Sequence, residues 1–102
     1  MAEFVTVGAA GEVAEGKKKV YGVDGAPVVV ARIGGALHAF SDVCTHRQCT
    51  LSPSEIEGTE IECECHGSVF DVTTGAIVAP PAIEPLPIYQ VREEGTDLQV
   101  AL

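Results

Sequence analysis

Short apolar runs, broken by glycine-bearing turns, recur along the whole chain. Phe4 to Val7 and Lys18 to Tyr21 read as the first two strands. Val23-Asp24-Gly25 carries the Asp-Gly signal of a tight hairpin and leads into Pro27 to Ile33, an apolar strand. Gly34-Gly35 turns the chain again into Leu37 to Ser41, after which regularity lapses from Asp42 to Ser54. Glu57-Gly58-Thr59 marks another turn. Thr59 to Cys65 then alternates, with Ile61, Cys63 and Cys65 on one side and Glu60, Glu62 and Glu64 on the other. Val69 to Val72 and Ile77-Val78 flank a loop at Thr73 to Ala76. Ala79 to Pro87 holds four of the six prolines, a stiff segment that cannot join a strand ladder. Ile88 to Arg92 and Leu98 to Ala101 close the chain as a hairpin over Glu93 to Asp97. No stretch sustains a 3.6-residue period. The pattern predicts an all-β antiparallel domain with two irregular loops inserted in its middle.

With 102 residues the chain is expected to be one domain, 1–102, around a small core. A core this size gains from an added cross-link or metal. Fifteen acidic against six basic side chains give a net charge of −9, which argues against nucleic acid or an anionic membrane as partner and for a docking protein with a basic patch. Glu55, Glu57, Glu60, Glu62 and Glu64 crowd before and between the second pair of cysteines and read first as a solvated strand face. No run approaches the ~18 apolar residues of a membrane span. The N-terminal stretch is too polar for a signal segment. The expectation is a cytoplasmic protein.

The chemistry sits in the two irregular loops. The first reads C-T-H-R-Q-C, Cys44 to Cys49, and the second C-E-C-H-G-S, Cys63 to Ser68. Cys44 with His46, and Cys63 with His66, each pair a thiol with an imidazole. Two thiolates and two imidazoles brought together by two loops point to a metal site. A structural zinc site would take C-x2–4-C followed by H-x3–5-H. The mixed pairing here suits a binuclear centre instead, with both thiolates on one iron and both imidazoles on the other.

At these residues the sequence resembles the Rieske [2Fe–2S] family: C-T-H and C-x-C-H-G-S match its two ligand loops, and the β-rich flanks match its frame over nearly the whole chain. The resemblance implies an antiparallel β-sandwich or barrel-like domain carrying a two-loop cluster-binding subdomain at about 42–80. It implies one Rieske-type [2Fe–2S] cluster, with Cys44 and Cys63 on one iron and His46 and His66 on the other. In the high-potential branch of the family, cysteines at the places of Cys49 and Cys65 form a disulfide between the cluster loops. Cys65, on the same strand face as Cys63, is geometrically able to do so; two buried thiols are the other reading. Ser68 stands where such members donate a hydroxyl to a bridging sulfide. Phe70 stands where they usually have tyrosine, and Gln48 and Glu64 depart from their glycine and proline, so a potential below theirs is expected. Ala79 to Ala82, A-P-P-A, resembles the proline loop that covers the cluster. His38 is read as structural, Lys17 to Lys19 as solvent-facing, and Arg47 as either partner-facing or simply solvated.

Replacing two thiolates by neutral imidazoles removes negative charge, so the oxidised site is near neutral and accepts an electron readily. With no dinucleotide fingerprint, the chain is not expected to take hydride itself. The resemblance implies a soluble, non-enzymatic one-electron carrier that docks at its cluster tip with an NAD(P)H-dependent reductase and a terminal ring-hydroxylating oxygenase. A subunit of a quinol-oxidising or arsenite-oxidase-like complex is the alternative, and a zinc-stabilised binding module a third. Colour and the electron paramagnetic resonance (EPR) spectrum of the reduced protein separate the last from the others.

Overall fold

A computed structural model describes residues 3–45, 49–65 and 67–101. All of its regular elements are strands: β1 Phe4–Ala9, β2 Lys18–Val23, β3 Ala26–Ile33, β4 Ala36–Ser41, β5 Ile56–Glu57, β6 Glu60–Glu62, β7 Val69–Asp71, β8 Ile77–Ala79, β9 Ile88–Glu94 and β10 Asp97–Ala101. Among the described residues no helix is long and apolar enough to cross a membrane. A six-stranded sheet runs β1-β10-β9-β4-β3-β2, and its edge strands β1 and β2 approach each other, so it curls into a nearly closed barrel. A four-stranded sheet, β5-β6-β7-β8, is built from the excursion between β4 and β9. All strand pairs are antiparallel.

The hairpins form where the turn chemistry asks for them. Asp24 and Gly25 both take positive φ, 50° and 83°, as a two-residue turn matched to strand twist requires. The Gly34-Gly35 turn is also left-handed, and Glu15 accepts hydrogen bonds from both of its amides, at 2.8 and 2.6 Å. The last hairpin is tighter than expected: β9 and β10 pair up to Glu94 and Asp97, leaving only Gly95 and Thr96 outside the ladder.

β3 explains the fold's two cores. Its side chains alternate, yet Val28, Val29, Val30 and Ala31 are all buried. Val28 and Val30 join Ala39, Leu98 and Val100 inside the barrel. Val29 and Ala31 join Phe40 on the other face, where Ile61 and Phe70 of the smaller sheet, and Val72 just past its β7, pack down. The register Val29↔Phe40 and Val30↔Ala39 keeps each pair on one face. Complete burial of Phe40 and Phe70 contributes about 1.5–3 kcal/mol each. The strand is apolar without alternation because both of its faces are covered.

The excursion leaves and returns at neighbouring points. Phe40 pairs with Ile88 and Ala39 with Tyr89, so β4 and β9 are adjacent strands although nearly half the chain lies between them. Ser41 N–H donates to Pro87 O at 3.0 Å and seals the neck.

Candidate metal centre

The first loop starts from a buried carboxylate. Asp42, 4% exposed, accepts the amides of Leu51 (3.1 Å) and Ser52 (2.7 Å) on Oδ1 and the Ser52 hydroxyl (3.2 Å) on Oδ2. Its backbone carbonyl takes Leu51 N–H as well, at 2.8 Å. One side chain thus ties the start of the loop to its end, and the charge is tolerated inside because donors surround it. Within that closure Val43 bridges Thr50, and Cys44 N–H donates to Cys49 O at 2.8 Å.

The second loop differs from the sequence expectation. The alternating strand stops at Glu62, and Cys63 begins a turn. Cys63 N–H donates to Ser68 O at 2.7 Å and Gly67 N–H to Cys63 O at 2.9 Å, with Gly67 at φ +80°. Cys63 is buried at 1% exposure while Cys65 faces outward, so the two do not share a strand face as the alternation suggested. The turn redirects Cys65 across the surface to Cys49. The two sulfurs are bonded at 1.98 Å, with the Cα atoms 6.5 Å apart.

The proline segment holds both loops. Ala82 N–H donates to Ser68 Oγ at 3.1 Å, Thr45 Oγ1 donates to Glu84 O at 2.7 Å, and Leu86 N–H donates to Gly75 O at 2.9 Å. Gly75 has φ +83°, and a Cβ there would lie 2.3 Å from Leu86 O. Only glycine lets the second sheet's hairpin approach the segment this closely.

Cys44, at 2% exposure, and Cys63 are buried in one apolar cluster with Leu51, Phe70, Ala82 and Leu86. The Cys63 sulfur and both disulfide sulfurs lie within 4.8 Å of one another. Two of those three are covalently joined and are not thiolate ligands. Two buried thiols on loops clamped to each other form a donor set that fits a soft iron–sulfur group. His46, His66, Arg47 and Gln48 lie outside the described residues. Ser68 is fully buried, and its hydroxyl, occupied as acceptor by Ala82, keeps its own proton to donate. His38 is half-buried on β4, opposite Ala31, away from the loops.

Sequence reasoning passed over Asp42, Thr45 and Gly75. An aspartate opening an irregular loop is a turn-forming signal that was available for Asp42. At the base of the second loop, Asp71 accepts the Thr73 hydroxyl (2.6 Å), the Thr73 amide (2.8 Å) and the Thr59 hydroxyl (3.3 Å). The Thr73 hydroxyl, then its amide, hold the Asp71 carboxyl below its usual range.

Known proteins resemble this chain in sequence and fold. The family model for the Rieske [2Fe-2S] domain matches residues 3–90. Ferredoxin CarAc of Metapseudomonas resinovorans is 36% identical over 84 residues, 82% of this chain and 78% of that one. The cytochrome b6-f complex iron-sulfur subunit of Chlorobaculum thiosulfatiphilum is 37% identical over 97 residues; the match covers 95% of this chain and 52% of the subunit. A solved complex of reduced oxygenase and oxidized ferredoxin in carbazole 1,9a-dioxygenase contains a chain of the same fold, 33% identical, TM-score 0.86, with 96% of this chain and 92% of that one covered.

Proposed function

The chain belongs to the Rieske [2Fe–2S] family, and from that premise we propose that it is a one-electron carrier, a ferredoxin passing electrons from an NAD(P)H-dependent reductase to a ring-hydroxylating oxygenase. One observation carries the reading: the match to the ferredoxin-type chain of the oxygenase complex runs over nearly the full length of both. The cytochrome complex subunit is matched over only about half of its length.

In this reading Cys44 and Cys63 hold one iron, and His46 and His66 the other. When bound, the cluster supplies a site that gains and loses a single electron at little cost in charge, because two of its ligands are neutral rings. The residues around it do the rest. Leu51, Phe70, Ala82 and Leu86 wall off the thiolate end from water. The Ser68 hydroxyl directs its proton toward the ligand loops, which favours added negative charge there. Asp42 and the Cys49–Cys65 bridge fix the spacing of the loops. In this reading partners dock at the end of the molecule formed by the two ligand loops. No catalytic step is assigned to the chain itself, and it works in the cytoplasm.

A second reading, a subunit of a quinol-oxidising complex, draws support from the disulfide and from the 37% identity to the cytochrome complex subunit. The midpoint potential separates the two. Phe70 lacks the hydroxyl that would raise it, so a potential well below the quinol-oxidising range is expected. Dithionite-reduced protein should give the rhombic EPR signal of mixed cysteine–histidine ligation and deliver one electron per chain to an oxygenase. A silent spectrum, or a potential in the quinol-oxidising range, overturns the ferredoxin reading.

A further inference from the structure

The bridge between the ligand loops has a third sulfur beside it. The sulfurs of Cys49, Cys63 and Cys65 all lie within 4.8 Å of one another, the only such group of His, Cys, Asp or Glu ligand atoms among the described residues. Cys49 and Cys65 are bonded. Cys63 is outside that bond and in the carrier reading is an iron ligand. A side-chain rotation separates its sulfur from contact with the disulfide, and a thiol and a disulfide in contact exchange without any outside oxidant. Holding them together in one chain replaces a bimolecular encounter by an intramolecular one. Cys44 shares the apolar cluster but not this trio.

Exposure sets the direction of attack. Cys63 is 1% exposed, Cys49 half-buried and Cys65 exposed. Attack on Cys49 leaves the electron pair on Cys65, where water solvates it. Attack on Cys65 would leave it on the less exposed Cys49. The new bond would then span a single residue, Glu64, and be forced away from relaxed disulfide geometry. A Cys49–Cys63 bond, by contrast, still joins one loop to the other. Its separation in sequence is close to the 16 residues of the present bridge, so it constrains the chain to a similar degree.

We propose that the bound cluster withholds Cys63 from this reaction, and that loss of the cluster lets Cys63 attack the bridge and lock the emptied site. The Cys63–Cys49 sulfur bond forms as the Cys49–Cys65 bond breaks. Cys65 takes the electron pair and the proton that Cys63 gives up, and nothing is oxidised or reduced overall. One iron ligand is then tied up, and an exposed thiol appears at Cys65. The chain is closed to metal until a dithiol reductant, itself oxidised to a disulfide, opens the new bond to two thiols. The inference rests on the carrier reading in taking Cys63 as an iron ligand.

The test maps sulfur bonds rather than electron transfer. Holoprotein is stripped of iron under argon by a chelator that carries no thiol, held at one pH, and blocked with N-ethylmaleimide at intervals. Trypsin cutting after Arg47 and a glutamate-specific protease cutting after Glu62 and Glu64 place the four cysteines on four peptides for mass spectrometry. Before stripping, the Cys49 peptide should be bonded to that of Cys65. Over minutes to hours afterwards the bond should pass to Cys63 while the label appears on Cys65. Cobalt(II), added alone as a probe of the ligand set, should give a thiolate charge-transfer band with freshly stripped protein. That band should be lost as the bond passes. Stripped Cys65→Ser, with no bridge to exchange, should keep it. A Cys49–Cys65 bond that persists with the label on Cys63, or an equal loss of the cobalt band in Cys65→Ser, overturns this inference and leaves the carrier reading intact. Protein isolated without iron or acid-labile sulfide sinks the carrier reading instead, and the bond map of that chain still decides the exchange.

Discussion

Ala82 donates its backbone amide to the hydroxyl of Ser68, 14 residues earlier, and both groups are buried. Through that bond the proline segment rests on the second ligand loop. The serine is the segment's acceptor, and in the proposed carrier its remaining hydroxyl proton is the donor toward the cluster.

Ser68→Ala should accordingly show two effects. The Ala82 amide loses its buried acceptor, at about 1–3 kcal/mol, which thermal unfolding of the holoprotein should register. The lost hydroxyl donor should also lower the midpoint potential, read by potentiometric titration. Ser68→Thr, keeping the hydroxyl, should preserve the potential better than the stability.

Gly75 and Gly25 share a left-handed backbone at φ +83°, but their surroundings differ. Around Gly25 a Cβ meets nothing within 4 Å, whereas at Gly75 it would strike Leu86 O and approach Ile88 Cγ1 at 3.0 Å. Gly25→Ala should cost about 1 kcal/mol in backbone strain alone. Gly75→Ala should cost at least about 3 kcal/mol, because the proline segment must move as well. Urea unfolding of the two variants side by side checks the difference.

Acid should loosen the base of the second loop. The Asp71 carboxyl is held below its ordinary value by the Thr73 hydroxyl and amide, so its folded pKa is depressed relative to the unfolded chain. Its contribution to stability is then fully present above the unfolded carboxylate range, about pH 4–5, and disappears as pH falls through the folded value. Glu93, held low by the Gly11 amide and Arg32, follows the same sign. Asp71→Asn should lower stability at neutral pH and flatten the acid limb of a stability–pH curve. Unchanged curvature would contradict the assignment.

The Cys49–Cys65 bridge closes a loop of 16 residues' separation, worth about 3 kcal/mol by chain entropy in a cluster-free chain. In the holoprotein the cluster and Asp42 already restrain the same loops, so Cys65→Ser should cost less. Its visible spectrum should persist at room temperature while the bleaching temperature falls. Immediate loss of colour on mild reduction would show that the bridge, rather than the ligands, retains the iron.

Much of this architecture is legible from residue order because its signals are local. Asp24-Gly25 and Gly34-Gly35 demand positive φ, and the strands they join follow. The thiol–imidazole spacings of the ligand loops are likewise contiguous in sequence. What escapes is set by distant contacts. Ile56–Glu57 is too short to show a period and becomes a strand only because β6 lies beside it. The alternation through Cys65 is real in sequence, yet Cys63 turns inward into an apolar shell gathered from four separate segments. The staple made by Asp42 depends on amides nine and ten residues away.

The pairing of Phe40 with Ile88 makes the barrel's wall continuous beneath the excursion. The redox head is therefore mounted on a frame whose strand ladder closes beneath it, while its apolar floor is shared with that frame. Its opening during iron loading, or its collapse after oxidative damage, need not breach the frame, since cooperative units of a fold can open one at a time. Loss of the cluster should then disturb the ligand loops before it reaches the strand ladder of the barrel.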